Sequence, residues 1–282
     1  YGDHRDLHKE YRRQRQMCIR DRLRDHVETM LGEASSLGDS SAQPSPIPRS
    51  VATPVPLALI APHAGYIYSG PIAASAFKTL EALSHPIHRV VIIGPSHFVP
   101  FSGVALPEAE VFETPLGKIP VDIATIDRIR NIDPIVTWDE PHRHEHGIEV
   151  ELPFLQTVLG DFGLVPLVTG HSTAEQVAKI VDALWCDSTL VVVSSDLSHF
   201  HNYDTAVRLD AETADAVVNG RPQDLDERRA CGHLAIQGLM IAAERLGRSI
   251  TLIDLRNSGA VSYTHLRAHE TRHDLVCRLL LE

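Results

Sequence analysis

The chain has 282 residues, 43% apolar, 22% charged and 5% aromatic, with 37 acidic against 26 basic side chains and a formal charge of −11. That length and apolarity suffice to bury the core of one large domain or two modest ones, which excludes a disordered chain, a collagen and a disulfide-stapled miniprotein. The acidic balance argues against a general nucleic-acid binder, whose phosphate contacts need a basic surface, and no apolar run reaches the roughly 18 residues of a membrane-spanning helix. Among the remaining residues, 17 histidines stand out beside four cysteines at 18, 186, 231 and 277. Those cysteine spacings fit neither a zinc ribbon nor a disulfide framework, so a reducing cytoplasm is the expected compartment.

Residues 1–22 hold seven Lys/Arg against four acids and lack apolar periodicity. No apolar segment follows them as it would in a secretory signal. Met17-Cys18-Ile19-Arg20-Asp21 and Val261-Ser262-Tyr263-Thr264-His265 resemble translated sequencing-adapter DNA. The codons ATG TGT ATA AGA GAC AG spell the first peptide, and their reverse complement, CT GTC TCT TAT ACA CAT, spells the second. Residues 1–22 and 261–282 are therefore expected to be adapter-like and non-native. Residues 23–55, acidic and then rich in Ser and Pro, read as a leader and linker. The expected domain is 56–260. Setting both ends aside moves the charge from −11 to −14 and leaves 12 histidines with Cys186 and Cys231.

Within 56–260 apolar strands alternate with helices. Leu57–Ile60 is a short strand ending at Pro62, and helical spacing follows over 70–83. Val90–Ile93 is a β-branched run stopped by Gly94-Pro95. Shorter extended pieces near 103–106 and 111–121 precede a helix over about 122–130. An apolar helix follows His146, with Pro153 near its start or kinking it. Leu164–Val168, Leu190–Val193 and Ile250–Leu255 read as strands, with helices near 174–185, 204–219 and 232–246 between or beside them. Fully apolar strands alternating with helices predict an α/β fold: a mostly parallel or mixed sheet with helices on both faces.

Three of these strands run directly into a histidine. Ile60 leads to Ala61-Pro62-His63, Ile93 to Gly94-Pro95-Ser96-His97, and Val193 to Ser194-Ser195-Asp196-Leu197-Ser198-His199. In open α/β sheets the carboxyl edge is where ligands bind. A single histidine there is usually a loop residue, whereas three at equivalent places point to a site. Neutral imidazoles on rigid strand ends suit a transition metal. Cys231, Asp196, Glu149 and the histidines of His142-Arg143-His144-Glu145-His146 are the candidates for a third ligand. Cys231 precedes a predicted helix start beside Arg228 and Arg229, a setting expected to favour thiolate. Cys186 reads as a small buried filler. No G-x-S-x-G elbow, P-loop or dinucleotide fingerprint occurs.

Ala61-Pro62-His63-Ala64-Gly65-Tyr66, Gly94-Pro95-Ser96-His97, Glu145-His146-Gly147-Ile148-Glu149, Ser194-Ser195-Asp196-Leu197-Ser198-His199 and Cys231-Gly232 together resemble the Memo family. The closer resemblance is to its prokaryotic branch, protein B of the AmmeMemoRadiSam system. The resemblance covers about 56–259. It implies a fold similar to the catalytic subunit of class III extradiol dioxygenases, with a cysteine where those enzymes place a carboxylate ligand. It implies His63, His97 and Cys231 as metal ligands, iron(II) or copper as the metal, and His199, Asp196 and His146 as acid/base residues. Tyr66, Ser96, Glu149, Ser195 and Arg229 complete the expected pocket. A radical-SAM protein and other members of that system are the implied partners.

A soft thiolate in place of a carboxylate shifts preference toward copper(I) or zinc while still permitting iron(II). It also sets an oxidisable sulfur on the metal, which makes catechol cleavage less expected than a redox role. The rival expectations are a non-enzymatic pocket for a phosphopeptide or small anion, with Arg228 and Arg229 supplying charge, and a non-catalytic subunit of the modification system. Relatives continue past an Asn-Ser-Gly like Asn257-Ser258-Gly259 into a further strand. Here the sequence turns adapter-like, so the last strand is expected to be missing.

Overall fold

The computed structural model describes residues 17–34, 58–83 and 85–257, together with the backbone of 275–281. The expected Ser/Pro linker, the first sixteen residues and 261–274 lie outside the described residues. In chain order the elements are helix α1 (17–34), β1 (Ala58–Ala61), α2 (Tyr66–Phe77) with a 3₁₀ turn Lys78–Ala82, β2 (Arg89–Pro95), β3 (Val104–Leu106), β4 (Val111–Thr114), β5 (Gly117–Pro120) and α3 (Ile123–Ile129). There follow β6 (Ile135–Thr137), α4 (Glu140–Arg143), α5 (Leu152–Leu159), β7 (Gly163–Thr169), α6 (Ala174–Leu184), β8 (Thr189–Ser194), α7 (Tyr203–Val218), α8 (His233–Arg245), β9 (Ile250–Asn257) and β10 (Leu275–Leu281).

The expected α/β architecture is present. One mixed sheet runs β6-β3-β7-β2-β8-β1-β10-β9, and its centre, β7-β2-β8-β1, is wholly parallel. Alternate residues of these strands feed opposite faces, as the period of two requires. Ile60, Val91, Ile93, Val165, Leu167, Val191 and Val193 join a core capped by α3, α6, α7 and α8. Leu59, Val90, Ile92, Leu164, Leu190 and Val192 join the core under α1, α2 and α5. Both faces are covered, which is why the strands read as unbroken apolar runs.

The structure adds three features to these expectations and shifts one boundary. Residues 17–34, read as adapter plus leader, form a helix whose Val27, Met30 and Leu31 are buried in the second core. Three apolar positions within one turn and a half are too few to register as periodicity in so charged a stretch, and packing against α2 decides their state. Leu275–Leu281, within the tail read as adapter-like, forms a strand that pairs antiparallel with both β1 and β9. That apolar stretch supplies the ladder partners that β1 would otherwise lack. Helix α2 starts at Tyr66 rather than at 70, with Pro71 inside it. The extended piece at 111–121 is a hairpin, turning through Pro115 and Leu116 into Gly117, whose φ is +142°. No helix among the described residues is long and apolar enough to cross a membrane.

Helices α6 and α8 meet through Gly238. A Cβ there would lie 2.6 Å from both Cβ and Cγ1 of Val177. Gly238→Ala should therefore destabilise the fold although alanine gains about 1 kcal/mol of helix propensity. Overpacking of about 1–3 kcal/mol outweighs that gain, and chemical denaturation of the two proteins measures the net loss.

Candidate metal centre

The register of the central strands levels their ends. β1 pairs with β8 from Ala58–Val191 to Ala61–Ser194, and β2 pairs with β8 as far as Ile93–Val193. Since β8 lies between β1 and β2, the residues just beyond all three gather at one edge. Pro62 and Pro95 help to end their strands there, because a proline cannot donate to a ladder.

His63 is 1% exposed. Its backbone N–H donates to Asp196 Oδ1 at 2.9 Å, and the N–H of Ala64 reaches the same oxygen at 3.3 Å. Its Nδ1 lies 2.8 Å from Ser194 Oγ, and its Nε2 lies 3.4 Å from Cys231 Sγ and 3.9 Å from Asp196 Oδ2. Burial pushes the imidazole down from the ordinary 6.5 to about 4, against the pull of Asp196, so the ring is neutral near pH 7.

His97 is oriented by a carboxylate. Its Nδ1 is 2.8 Å from Glu145 Oε1, and its backbone N–H donates to Oε2 at 2.9 Å. Burial of Glu145 would raise its pKa. The hydrogen bonds from the His97 ring and from the N–H groups of His97 and Gly147 prevail and carry it down to about 2. An ionised carboxylate only accepts, so His97 donates to it from Nδ1 and only Nε2 is left to meet a ligand. His146, half-exposed, places its Nδ1 3.3 Å from the same Oε1. The rings of His63, His97 and His146 form a near-equilateral triangle with centroids 5.1, 5.4 and 5.0 Å apart. One ligand nitrogen from each lies within 4.8 Å of the others.

Cys231 reaches this cluster because the turn before α8 docks on the end of β8. Its N–H donates to the Asp196 carbonyl at 3.2 Å, and the N–H of Gly232 donates to Ser195 Oγ at 2.9 Å. A Cβ on Gly232 would stand 2.7 Å from the Ser195 Cβ, so only glycine allows that approach. The expectation of a low thiol pKa is corrected. Burial first, then the charge of Asp196, push Cys231 up to about 12. The arginines do not counter this: Arg229 is bound to Glu212 at 3.2 Å, and Arg228 is exposed.

The edge thus assembles His63, His97, His146, Cys231, Asp196 and His199, whose Nε2 is 3.8 Å from Asp196 Oδ2. Ser195 is scaffold under Cys231. The rest of the expected pocket lies elsewhere. Tyr66 Oη donates to the Val150 carbonyl at 2.9 Å and its ring packs on Phe154. Ser96 closes a local turn onto the Val99 carbonyl. Glu149 is exposed, and Arg229 serves α7. Cys186, expected as buried filler, is exposed at the amino end of β8, 3.1 Å from Thr189 Oγ1.

Three residues of the site escape the sequence reading: Glu145, Ser194 and Glu151. Glu151 is fully buried, 3.1 Å from Ser194 Oγ, and burial holds its carboxyl well above the usual range. Glu145 stands within a motif already noted. Only the loop between α4 and α5, folded back against His97, tells it from Glu149.

Residues 39–268 match the family model described as Memo-like protein. A MEMO1 family protein of Methanosarcina acetivorans is 39% identical over 218 residues, covering 72% of this chain and 79% of that protein. One from Metallosphaera sedula is 30% identical over 250 residues, covering 82% and 83%. The crystal structure of the uncharacterized protein JW3007 from Escherichia coli K12 superposes with a TM-score of 0.50 at 15% identity, over 78% of this chain and 98% of that one, a likeness of fold.

The buried His63 makes stability depend on pH. Its folded pKa, about 4, lies below the ordinary 6.5, so the unfolded chain takes up the proton first as pH falls. Stability is intact above about pH 6.5 and is lost down to about pH 4, by about 3 kcal/mol from this group. Denaturation of the metal-free chain against His63→Gln should show the variant with a shallower loss across that window. Equal slopes would contradict the burial argument.

Proposed function

The chain belongs to the Memo family, and on that premise we propose that its sheet-edge cluster is a mononuclear transition-metal centre, for iron(II) or copper, with a redox role. The ligands in this reading are His63, His97 and Cys231, with His146 at the exposed side. One observation carries it. The Nδ1 atoms of both strand-end imidazoles are engaged by hydrogen bonds, to Ser194 and to Glu145, which leaves each Nε2 to meet a ligand. A thiol stands beside one of those nitrogens.

The His63–Cys231 pair has the spacing of two ligands on one metal. Bonds of about 2.0–2.1 Å to nitrogen and about 2.3 Å to sulfur at tetrahedral angles separate the two donors by roughly 3.6 Å, and Cys231 Sγ is 3.4 Å from His63 Nε2. The protonation states point the same way. A cysteine hydrolase needs a thiolate beside an imidazolium, whereas here the thiol is pushed up to about 12 and the imidazole down to about 4. Neutral imidazole is the ligating form, and a metal replaces the thiol proton.

A bound iron or copper ion would supply one-electron redox chemistry. The chain supplies the rest. Glu145 fixes the His97 ring, and Asp196 tethers the His63 backbone. His199, with its Nε2 3.8 Å from the Asp196 carboxylate, is placed to pass a proton at the cluster. The anion-pocket alternative loses support because Arg229 is spent on Glu212 and Thr213.

A second donor set is favoured by the triangle of His63, His97 and His146, whose ligand nitrogens are mutually within 4.8 Å. The two sets differ in cysteine. Anaerobic reconstitution with iron(II) or copper(I) should load about one metal per chain. Cys231→Ala should weaken binding at least tenfold and His146→Ala should weaken it less. The reverse ranking selects the all-nitrogen set, and absence of stoichiometric metal in the unaltered chain overturns the proposal.

A further inference from the structure

Ser194 Oγ, fully buried at the end of β8, has three polar neighbours: the Gly147 carbonyl, His63 Nδ1 at 2.8 Å and Glu151 Oε1 at 3.1 Å. A hydroxyl has one hydrogen to give and two lone pairs. The Gly147 carbonyl can only accept, and Ser194 Oγ is its donor, so the Ser194 hydrogen goes there. The other two neighbours must then donate. We infer that Glu151 is a neutral carboxylic acid donating to Ser194 Oγ, and that Ser194 and Glu151 act together as positioning residues that lock His63 as its Nδ1–H tautomer with Nε2 presented to the centre.

The surroundings of Glu151 agree. The residue is 0% exposed, and its other oxygen, Oε2, is buried with no hydrogen-bond partner. An ionised carboxylate left with an orphan oxygen would be far more costly there than a neutral acid. Burial, reinforced by the charge of Asp196, raises its pKa against the contact with Ser194. If Ser194 instead gave its hydrogen to an ionised Glu151, the Gly147 carbonyl would lose the donor it sits against. Gly147 also holds the loop of Glu145 and His146, and a Cβ on it would press to 3.2 Å from His63 Nδ1. The serine therefore ties both sides of the cluster together, the His63 ring and the loop that carries the His97 carboxylate partner.

This inference deepens the metal-centre reading, and its first readout needs no metal. In long-range proton–nitrogen spectra of the metal-free, ¹⁵N-enriched full chain near pH 7, with His63 assigned by its loss in His63→Gln, the ring should be neutral and protonated at Nδ1. Infrared difference spectra between the unaltered chain and Glu151→Gln should show the loss of a protonated carboxylic-acid carbonyl band. Glu151→Gln keeps an N–H donor for Ser194, so tautomer and zinc(II) affinity should stay within about threefold. Ser194→Ala and Glu151→Leu, compared after thermal melting confirms that each folds, should mix the tautomers and weaken zinc(II) binding by about 10- to 100-fold.

An Nε2–H tautomer in the unaltered chain overturns the inference. So does a carboxylate band in place of the acid band, or a Glu151→Gln variant as impaired as Glu151→Leu. A correct tautomer and acid band in a chain that takes up no metal would sink the metal reading and leave this one standing.

Discussion

Everything at the site depends on β8 lying between β1 and β2 in parallel with its end level with theirs. Parallel pairing sends all three chains out of the sheet at one edge. The pairs Ala61–Ser194 and Ile93–Val193 fix where each leaves it. A shift of one residue would turn Ser194 away from His63 and move the apolar side chains of β8 to the opposite faces. Both faces are dry and packed, so that slip is forbidden by the two cores as firmly as by the ladder.

Polar groups placed at the edge of such a core need partners, and apart from Glu151 Oε2 the carboxylates here find them in the histidines and backbone of the site. Glu145 accepts from the ring and backbone of His97 and from Gly147. Asp196 accepts from the backbone of His63 and Ala64 and offers its other oxygen to both His63 and His199. Each carboxylate thus orients one strand-end histidine by a different route, one through the ring and one through the main chain. The cluster is rigid because the same hydrogen bonds that remove the burial penalty also fix the side chains.

Cys231 enters from the opposite layer, and its approach is a matter of volume. Gly232 lets the turn before α8 come down on Ser195 closely enough to bring the sulfur to 3.4 Å from His63 Nε2. The cysteine and the glycine form one device, since the thiol would be useless to the cluster if its neighbour carried a side chain. Gly147 plays the matching part beside His63. Two glycines, one from each side, give the centre its close packing.

The sequence by itself determined the layered α/β fold, because strands buried on both faces must read as continuous apolar runs. It also determined the strand-end histidines 63 and 97, because a proline near the strand end and a histidine beyond it leave a local signature. It singled out Cys231 through the Cys-Gly pair, and it contained the Glu145-His146-Gly147 motif. What only the tertiary structure decided was which polar residues face one another. Glu145 and the exposed Glu149 are four positions apart, and nothing local says which one returns to His97. Arg229 looks poised beside Cys231 in the chain but is spent on Glu212, because its direction is set by α7. Tyr66 follows His63 closely yet points toward Val150, since the first turn of α2 rotates it away. Residues 17–34 and 275–281 look foreign in composition and still take places in the fold, one as a helix on the core and the other as a strand in the sheet. Periodicity and chain punctuation are properties of neighbours in sequence, whereas hydrogen-bond partners, burial and thiol acidity belong to neighbours in space.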